Sequence, residues 1–126
     1  MASTVLVGRG LRRIEEMAYY AGIIDGEGCI SYYKSLGVSV EGLYPKTLIE
    51  MHTVFGGSVS EIKRGNKRRY YRWRIYGKEA ARCLEMLLPY LREKKEQAEL
   101  GLEAICYPKH SDKRKQLTAR LRELKK

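Results

Sequence analysis

A run of small residues at helical spacing, within residues 18–28, constrains this chain more than any other sequence feature. Ala18, Gly22 and Gly26 recur every four residues, so in a helix they form one ridge with almost no side chain. Such a ridge allows a second helix backbone to approach very closely. Because the sequence contains no second copy of this segment, we expect the partner helix to come from another chain, related by a two-fold axis.

Glu27 lies between two glycines, immediately after the expected end of the helix. Two such helices side by side bring two Glu27 carboxylates close to their common axis, where they repel unless a cation lies between them. A hard divalent metal with oxygen ligands is the usual solution. The same glycines are also compatible with a plain helix stop, and the segment alone does not decide between the two interpretations.

Hydrophobic periodicity predicts two hairpins set between helices. Alternating patterns predict strands over 29–34 and 37–41, joined by a tight turn at Ser35–Leu36, and over 58–64 and 67–76, joined by Gly65–Asn66. Helical periodicity predicts helices over 11–25, 45–55, 78–88, 93–105 and 112–126. We therefore expect one α+β domain over residues 1–126, with a flexible arm at 1–10 and a basic helical C-terminus at 109–126. Its antiparallel sheet carries helices on one face and leaves the other face open.

The formal net charge of +10 is concentrated in two segments of the 126-residue chain. Residues 63–74 carry seven basic residues and no acid, and residues 109–126 carry eight basic residues against Asp112 and Glu123. This concentration favours a polyanionic partner over general solubility. Arginine interleaved with Tyr70, Tyr71 and Trp73 is suited to pair with phosphates and to read base edges. A solvated surface is the alternative explanation for each segment.

Composition excludes several other classes. No apolar run is long enough to span a membrane, and the first ten residues lack the pattern of a secretory signal. We therefore expect an intracellular protein, cytoplasmic or nucleoid-associated in a prokaryote. The chain has only three widely separated cysteines and two isolated histidines, which disfavours a disulfide framework, a zinc site and a histidine-dependent triad.

Residues 18–30, AYYAGIIDGEGCI, resemble the signature of the LAGLIDADG homing endonucleases in its Asp-Gly-Glu-Gly variant. Three later blocks resemble the family in the right order: VSV with Pro45 and the helix that ends in VFGGSV, then YRWRIYGKEA, then LPYLREKKEQAEL. The resemblance covers roughly residues 14 to 103. It implies a saddle-shaped sheet over the DNA major groove and a homodimer packed through the signature helices. It also implies cleavage of both strands of a long, near-palindromic duplex site, leaving short 3′ overhangs.

The resemblance also assigns roles to individual residues. Glu27 matches the metal-binding acid and the Gly26 carbonyl shares that metal, which would be Mg²⁺ with Mn²⁺ as a substitute. Lys94 matches the basic residue beside the scissile phosphates, with Lys95 as its competitor if the register slips by one. Asp25 matches the second, more structural acid. With the motif helix as the dimer contact, the expected interface comprises Ala18, Ala21, Gly22, Asp25 and Gly26.

Strand parity defines the expected DNA-binding face. Tyr71, Trp73 and Ile75 point to the core, and the residues between them point to the ligand. From both hairpins, the expected DNA-binding residues are Ser31, Tyr33 (or Tyr32), Ser60, Ile62, Arg64, Arg68, Tyr70, Arg72 and Arg74. Double-stranded DNA and a second copy of the chain are thus the expected partners, with no membrane and no small-molecule cofactor.

Two departures from the family pattern leave other hypotheses open. The first hairpin is short, and Glu41 places an acid where related sequences have small polar residues. One alternative is a non-cleaving nucleic-acid binder of the same fold, either an RNA splicing cofactor of the maturase type or a DNA-binding protein. Another is a basic helical interaction domain whose glycine ridge only dimerises.

Overall fold

The computed structural model describes residues 2–63, 65 and 69–125, with side chains from residue 13 onward. In chain order the elements are α1 (Ala2–Glu27), β1 (Gly28–Tyr32), β2 (Leu36–Gly42), α2 (Pro45–Phe55), β3 (Ser58–Ile62), β4 (Tyr70–Tyr76), α3 (Gly77–Leu87), a 3₁₀ turn (Leu88–Tyr90), α4 (Lys95–Ala104) and α5 (Asp112–Leu124). The strands form one antiparallel sheet in the order β1-β2-β4-β3. The predicted α+β class is confirmed.

The ends of several elements differ from the sequence prediction. The structure continues α1 back to Ala2, through the region expected as a flexible arm, because isolated glycines cost a helix only about 1 kcal/mol each. At the other end Glu27 is the last helical residue. The first hairpin turns over residues 33–35, since Tyr32 pairs with Leu36. Both strands of the second hairpin are shorter than predicted.

The core lies between the helices and one face of the sheet. Trp73 is fully buried at its centre, with Ile30, Val38 and Ile75 around it, as strand parity predicts. The Trp73 indole donates a hydrogen bond of 2.9 Å to the Gly56 carbonyl. Within the described residues, the opposite face of the sheet is left without a covering helix.

Glycine is required at two positions, Gly28 and Gly57, because a side chain there would collide with neighbouring backbone. A Cβ on Gly28 would lie 2.8 Å from the Ile24 backbone, because β1 folds back tightly against the end of α1. Gly57 has a φ of 84°, and a Cβ there would lie 2.2 Å from the Arg74 carbonyl oxygen. Gly28 allows β1 to begin directly at the end of α1, and Gly57 allows the chain that enters β3 to lie close against β4.

The C-terminal helix α5 packs on α4 and β1 of its own chain. Of the predicted apolar stripe, Leu117 and Leu121 are buried, while Leu124 is 37% exposed. The Ser111 hydroxyl caps the helix by accepting a 3.2 Å hydrogen bond from the Arg114 amide. None of the described helices is long and apolar enough to cross a membrane.

Candidate functional site

The open face of the sheet collects polar side chains from all four strands. Cross-strand partners share a face, and the register pairs Ser39 with Arg74, Glu41 with Arg72, and Ser31 with Gly37. On the other edge it pairs Ser60 with Arg72 and Ile62 with Tyr70. The face therefore presents a row of hydroxyls and guanidinium groups across the sheet.

Most residues expected on the ligand face do lie on it. The described members of the set that share this face are Ser31, Ser60, Ile62, Tyr70, Arg72 and Arg74. Tyr33 follows in the turn and is 87% exposed. Its alternative, Tyr32, lies on the core side and is only 7% exposed. Arg64 and Arg68 lie outside the described residues.

Glu41, the acid that sequence reasoning did not explain, forms an ion pair with Arg72 on this face. The Arg72 Nε donates a 2.7 Å hydrogen bond to Glu41 Oε1, and the guanidinium Nη2 contacts the same oxygen. The two residues are direct partners in the β2–β4 ladder. Glu41 thus holds Arg72 in one orientation and offsets its charge.

Asp25 joins the end of α1 to the start of α4. Its carboxylate accepts hydrogen bonds from the Arg92 amide at 2.9 Å and the Lys94 amide at 3.0 Å. The Lys94 ammonium donates a 2.6 Å hydrogen bond to the Asp25 carbonyl oxygen. This two-way connection fixes Lys94 next to the end of α1. Lys94 is the N-cap of α4, not an interior residue of the helix predicted over 93–105.

Because two backbone amides depend on this carboxylate, Asp25→Ala should lower the free energy of unfolding by about 2 kcal/mol. Asp25→Asn keeps one acceptor oxygen and should lose less. Urea denaturation measures both changes, and Glu103→Ala, an exposed position on α4, is the control. Equal stability of Asp25→Ala and the control would contradict the bracing role of Asp25.

Glu27 is exposed at the last turn of α1. It lines a groove of about 500 Å³ together with Glu41, Tyr44 and Tyr70. Sequence reasoning missed Tyr44, which is 77% exposed just before α2, because nothing in the local pattern shows that this loop reaches the end of α1. The groove therefore sits between the helix end and the open face of the sheet.

The donors at this helix end fit a hard divalent cation. The Glu27 carboxylate and the Gly26 carbonyl would supply oxygen ligands to such an ion, since the last carbonyls of a helix lack intrahelical partners. Within the described residues of one chain, no group of three or more His, Cys, Asp or Glu residues could hold a metal. A divalent ion held at this helix end would therefore need further oxygen ligands, and hard divalent ions commonly take these from water and substrate phosphates.

The small-residue ridge lies on the surface. Ala18, Gly22 and Gly26 are exposed, and a Cβ added at Gly22 or Gly26 would meet no described atom of the chain within 4 Å. Ala21, expected at the dimer interface, is instead fully buried, because it lies on the core-facing side of α1 with Met17 and Ile24. The carboxylate of Asp25 is likewise engaged inside its own chain.

No protein-family profile matches the sequence, and no curated protein matches it. Solved structures do resemble the fold. The homing endonuclease I-CvuI, in complex with its target and Ca, superposes with a TM-score of 0.74 at 23% identity, covering 90% of this chain and 84% of I-CvuI. The archaeal intron-encoded homing endonuclease I-Vdi141I, complexed with DNA, gives 0.67 at 16% identity over 86% and 82%. The LAGLIDADG homing endonuclease I-SmaMI, bound to cleaved DNA, gives 0.60 at 24% identity over 84% and 42%. The chain has the LAGLIDADG homing endonuclease fold.

Within the LAGLIDADG fold, the signature resemblance of residues 18–30 coincides with α1, its exposed ridge and the turn into β1. The chain matches less than half of I-SmaMI but most of I-CvuI and I-Vdi141I. One copy of this chain thus corresponds to most of the chain in two neighbours and to a part of the chain in the third.

Proposed function

We propose that two copies of this chain form a divalent-metal-dependent endonuclease that cuts both strands of a long, near-palindromic DNA site. The observation that carries the proposal is the position of Glu27 at the end of α1, in the groove that reaches the open sheet face, with Lys94 hydrogen-bonded to Asp25 two residues earlier. The resemblance of the motif and the DNA complexes of the structural neighbours point to the same chemistry.

The homodimer follows from the ridge. Ala18, Gly22 and Gly26 leave a bare exposed strip on α1, while Met17, Ala21 and Ile24 of the same helix are buried in its own core. Packing two such strips around a two-fold axis covers them and brings the two Glu27 residues to the axis. The two open sheet faces then lie side by side, which doubles the length of DNA that the assembly contacts.

The residues at the helix end supply the groups that phosphodiester hydrolysis needs. Glu27 and the Gly26 carbonyl would hold Mg²⁺, with Mn²⁺ as a substitute. When bound, such an ion lowers the pKa of a coordinated water and neutralises charge on phosphate oxygens. Lys94 uses one N–H to reach the Asp25 carbonyl, which leaves two N–H donors for a phosphate oxygen as negative charge develops there.

Sequencing of cleaved ends tests the activity and finds the target site in the same experiment. Duplexes with a randomised core are incubated with the protein and Mg²⁺, and EDTA is the control. We expect breaks with short 3′ overhangs at a shared, near-palindromic sequence. If duplex DNA is bound but never cut, the non-cleaving DNA binder is correct. Tight binding to structured RNA with no cleavage of DNA would instead favour the splicing-cofactor alternative.

The pairing of Glu41 with Arg72 yields a separate prediction for DNA affinity. Glu41→Gln removes an acid from the face that meets phosphates and releases Arg72, so non-specific duplex affinity should rise roughly fivefold, or about 1 kcal/mol. Glu61→Gln is the matched control, because Glu61 also pairs with an arginine, Arg69, at 3.0 Å. Glu61 pairs with Tyr71 in the ladder and so points to the other side of the sheet. Fluorescence anisotropy at fixed salt measures both, and equal gains would contradict a specific position for Glu41 on the DNA face.

A further inference from the structure

A basic cleft lies between the first hairpin turn and α5, outside the groove that holds Glu27. It has a volume of about 270 Å³ and includes the cationic side chains of Lys34, Lys109, Arg114, Lys115 and Arg122, with His110 beside them. Among the described residues, no acid lines it. A smaller hollow of about 180 Å³ adjoins it at Tyr33 and Arg122 and adds Lys125.

The wall formed by α5 is held rigidly against the sheet. Arg114 contacts the Tyr32 hydroxyl, and its guanidinium carbon lies over the Tyr32 ring, 5.1 Å from the ring centroid. The same guanidinium donates a 3.0 Å hydrogen bond to the Tyr107 carbonyl. Leu117 and Leu121 anchor the same helix in the core. Arg114 therefore serves to position α5, while the other cations of the cleft face solvent.

Those other cations are not neutralised within the described part of the chain. Lys115 and Arg122 are exposed, and neither forms one of the ion pairs found among the described residues. Arg120, which lies on α5 but does not line the cleft, pairs with Glu96 at 3.1 Å. The cleft side of α5 thus keeps its positive charge, while the charge on another side is offset by an internal pair.

The cleft is continuous with the open face of the sheet. Tyr33 and Lys34 line both the cleft and the surface groove of about 640 Å³ that contains Ser39, Arg72 and Arg74. Strand β1 is an edge strand, and only three residues join it to β2. A duplex that extends from the sheet past the short first hairpin would therefore reach α5.

We propose that this cleft binds the phosphodiester backbone of duplex DNA beside the segment covered by the sheet. The proposal rests on the proposed function for the identity of the polyanion, and it adds a contact that reads no base. The cations of the cleft lie on a helix and a turn, and lysine and arginine side chains contact phosphate oxygens without reading the sequence. The short first hairpin explains why the chain needs this contact, since it covers little of the duplex by itself.

The salt dependence of DNA affinity gives an estimate of how many phosphates the protein contacts. Each contact adds about 0.9 to the slope of log affinity against log salt concentration. Lys115→Gln/Arg122→Gln removes one lysine and one arginine from the cleft. Lys78→Gln/Arg82→Gln removes the same charges from exposed positions of α3, on the helical side of the sheet. All four side chains are exposed, so thermal melting should match the unmodified chain.

Anisotropy titrations with a non-specific duplex, between 50 and 200 mM salt, give the slopes. We expect the cleft variant to lose about two units of slope per protomer and the α3 variant to lose none. Equal slopes for the two variants would overturn the proposal, and so would a loss seen with structured RNA but not with duplex DNA. The readout needs no cleavage, so a chain that binds DNA without cutting it still tests the cleft.

Discussion

Replacing Glu27 with glutamine is expected to abolish DNA cleavage while leaving folding and DNA binding intact. The carboxylate is exposed at the last turn of α1, so the amide costs the fold nothing. In the proposed site an uncharged amide would hold a divalent ion poorly, and such an ion would contribute several kcal/mol of charge stabilisation in the transition state. A loss of about 4 kcal/mol lowers the rate about 10³-fold. Single-turnover cleavage in Mg²⁺, together with thermal melting and duplex affinity, measures the three properties separately.

Glu85→Gln is the matched control for this experiment, because it neutralises an exposed acid on α3 away from the groove. It should cut at the unmodified rate. A Glu27→Gln chain that still cleaves at that rate, with normal binding, would remove Glu27 from the chemistry and leave the metal without its carboxylate.

The second large effect is expected from Gly22→Leu on the α1 ridge. Within the described chain a Cβ at this position meets nothing within 4 Å, and leucine favours a helix over glycine by about 1 kcal/mol. The protomer should therefore fold at least as stably as before. Between two close helices, however, each added side chain overpacks the contact by about 1–3 kcal/mol. Two copies per dimer should weaken association roughly 30-fold or more.

Sedimentation velocity over a range of protein concentrations measures the association of the two chains. Cleavage should fall as the dimer population falls. Ala119→Leu adds a comparable apolar side chain at an exposed position of α5 and should leave the association state unchanged. A Gly22→Leu chain that remains fully dimeric would show that the partner helix does not pack on this ridge.

The sequence was sufficient for features that depend on local periodicity. The ridge of α1 follows from a spacing of four residues, and the two faces of β4 follow from alternation around Trp73. Ala21 shows the limit of this reasoning. It lies within the motif, yet burial against the core assigns it to the inner side of the helix, and the width of the buried stripe is set by the sheet beneath it.

Contacts between distant segments were beyond the sequence pattern. Glu41 meets Arg72 only because β2 and β4 are neighbours although they are not consecutive in the chain. Lys94 reaches the Asp25 carbonyl across a separation of 69 residues. The motif resemblance assigned Lys94 to the site. Only the packed structure, however, shows that Lys94 is the N-cap of α4 and is held there by the end of α1.

The cysteines of the chain also allow a direct test of whether two copies of residue 27 lie close together. Burial raises the pKa of the Cys83 thiol to about 12, so this cysteine is unreactive near neutral pH and can stay in place. Cys29 is half-buried and Cys106 is exposed. Replacing these two with serine leaves a background in which an introduced cysteine is the main reactive thiol.

Cross-linking between Glu27→Cys chains in this background, with a short bifunctional maleimide and duplex DNA, tests the central claim most directly. If two copies of α1 pack through their ridges, the two thiols lie near the common axis and a covalent dimer forms in high yield. Glu123→Cys, at the exposed end of α5, is the control and should give little. A Glu27→Cys chain that remains monomeric after treatment, while it still binds DNA, would contradict a site assembled from two copies of Glu27.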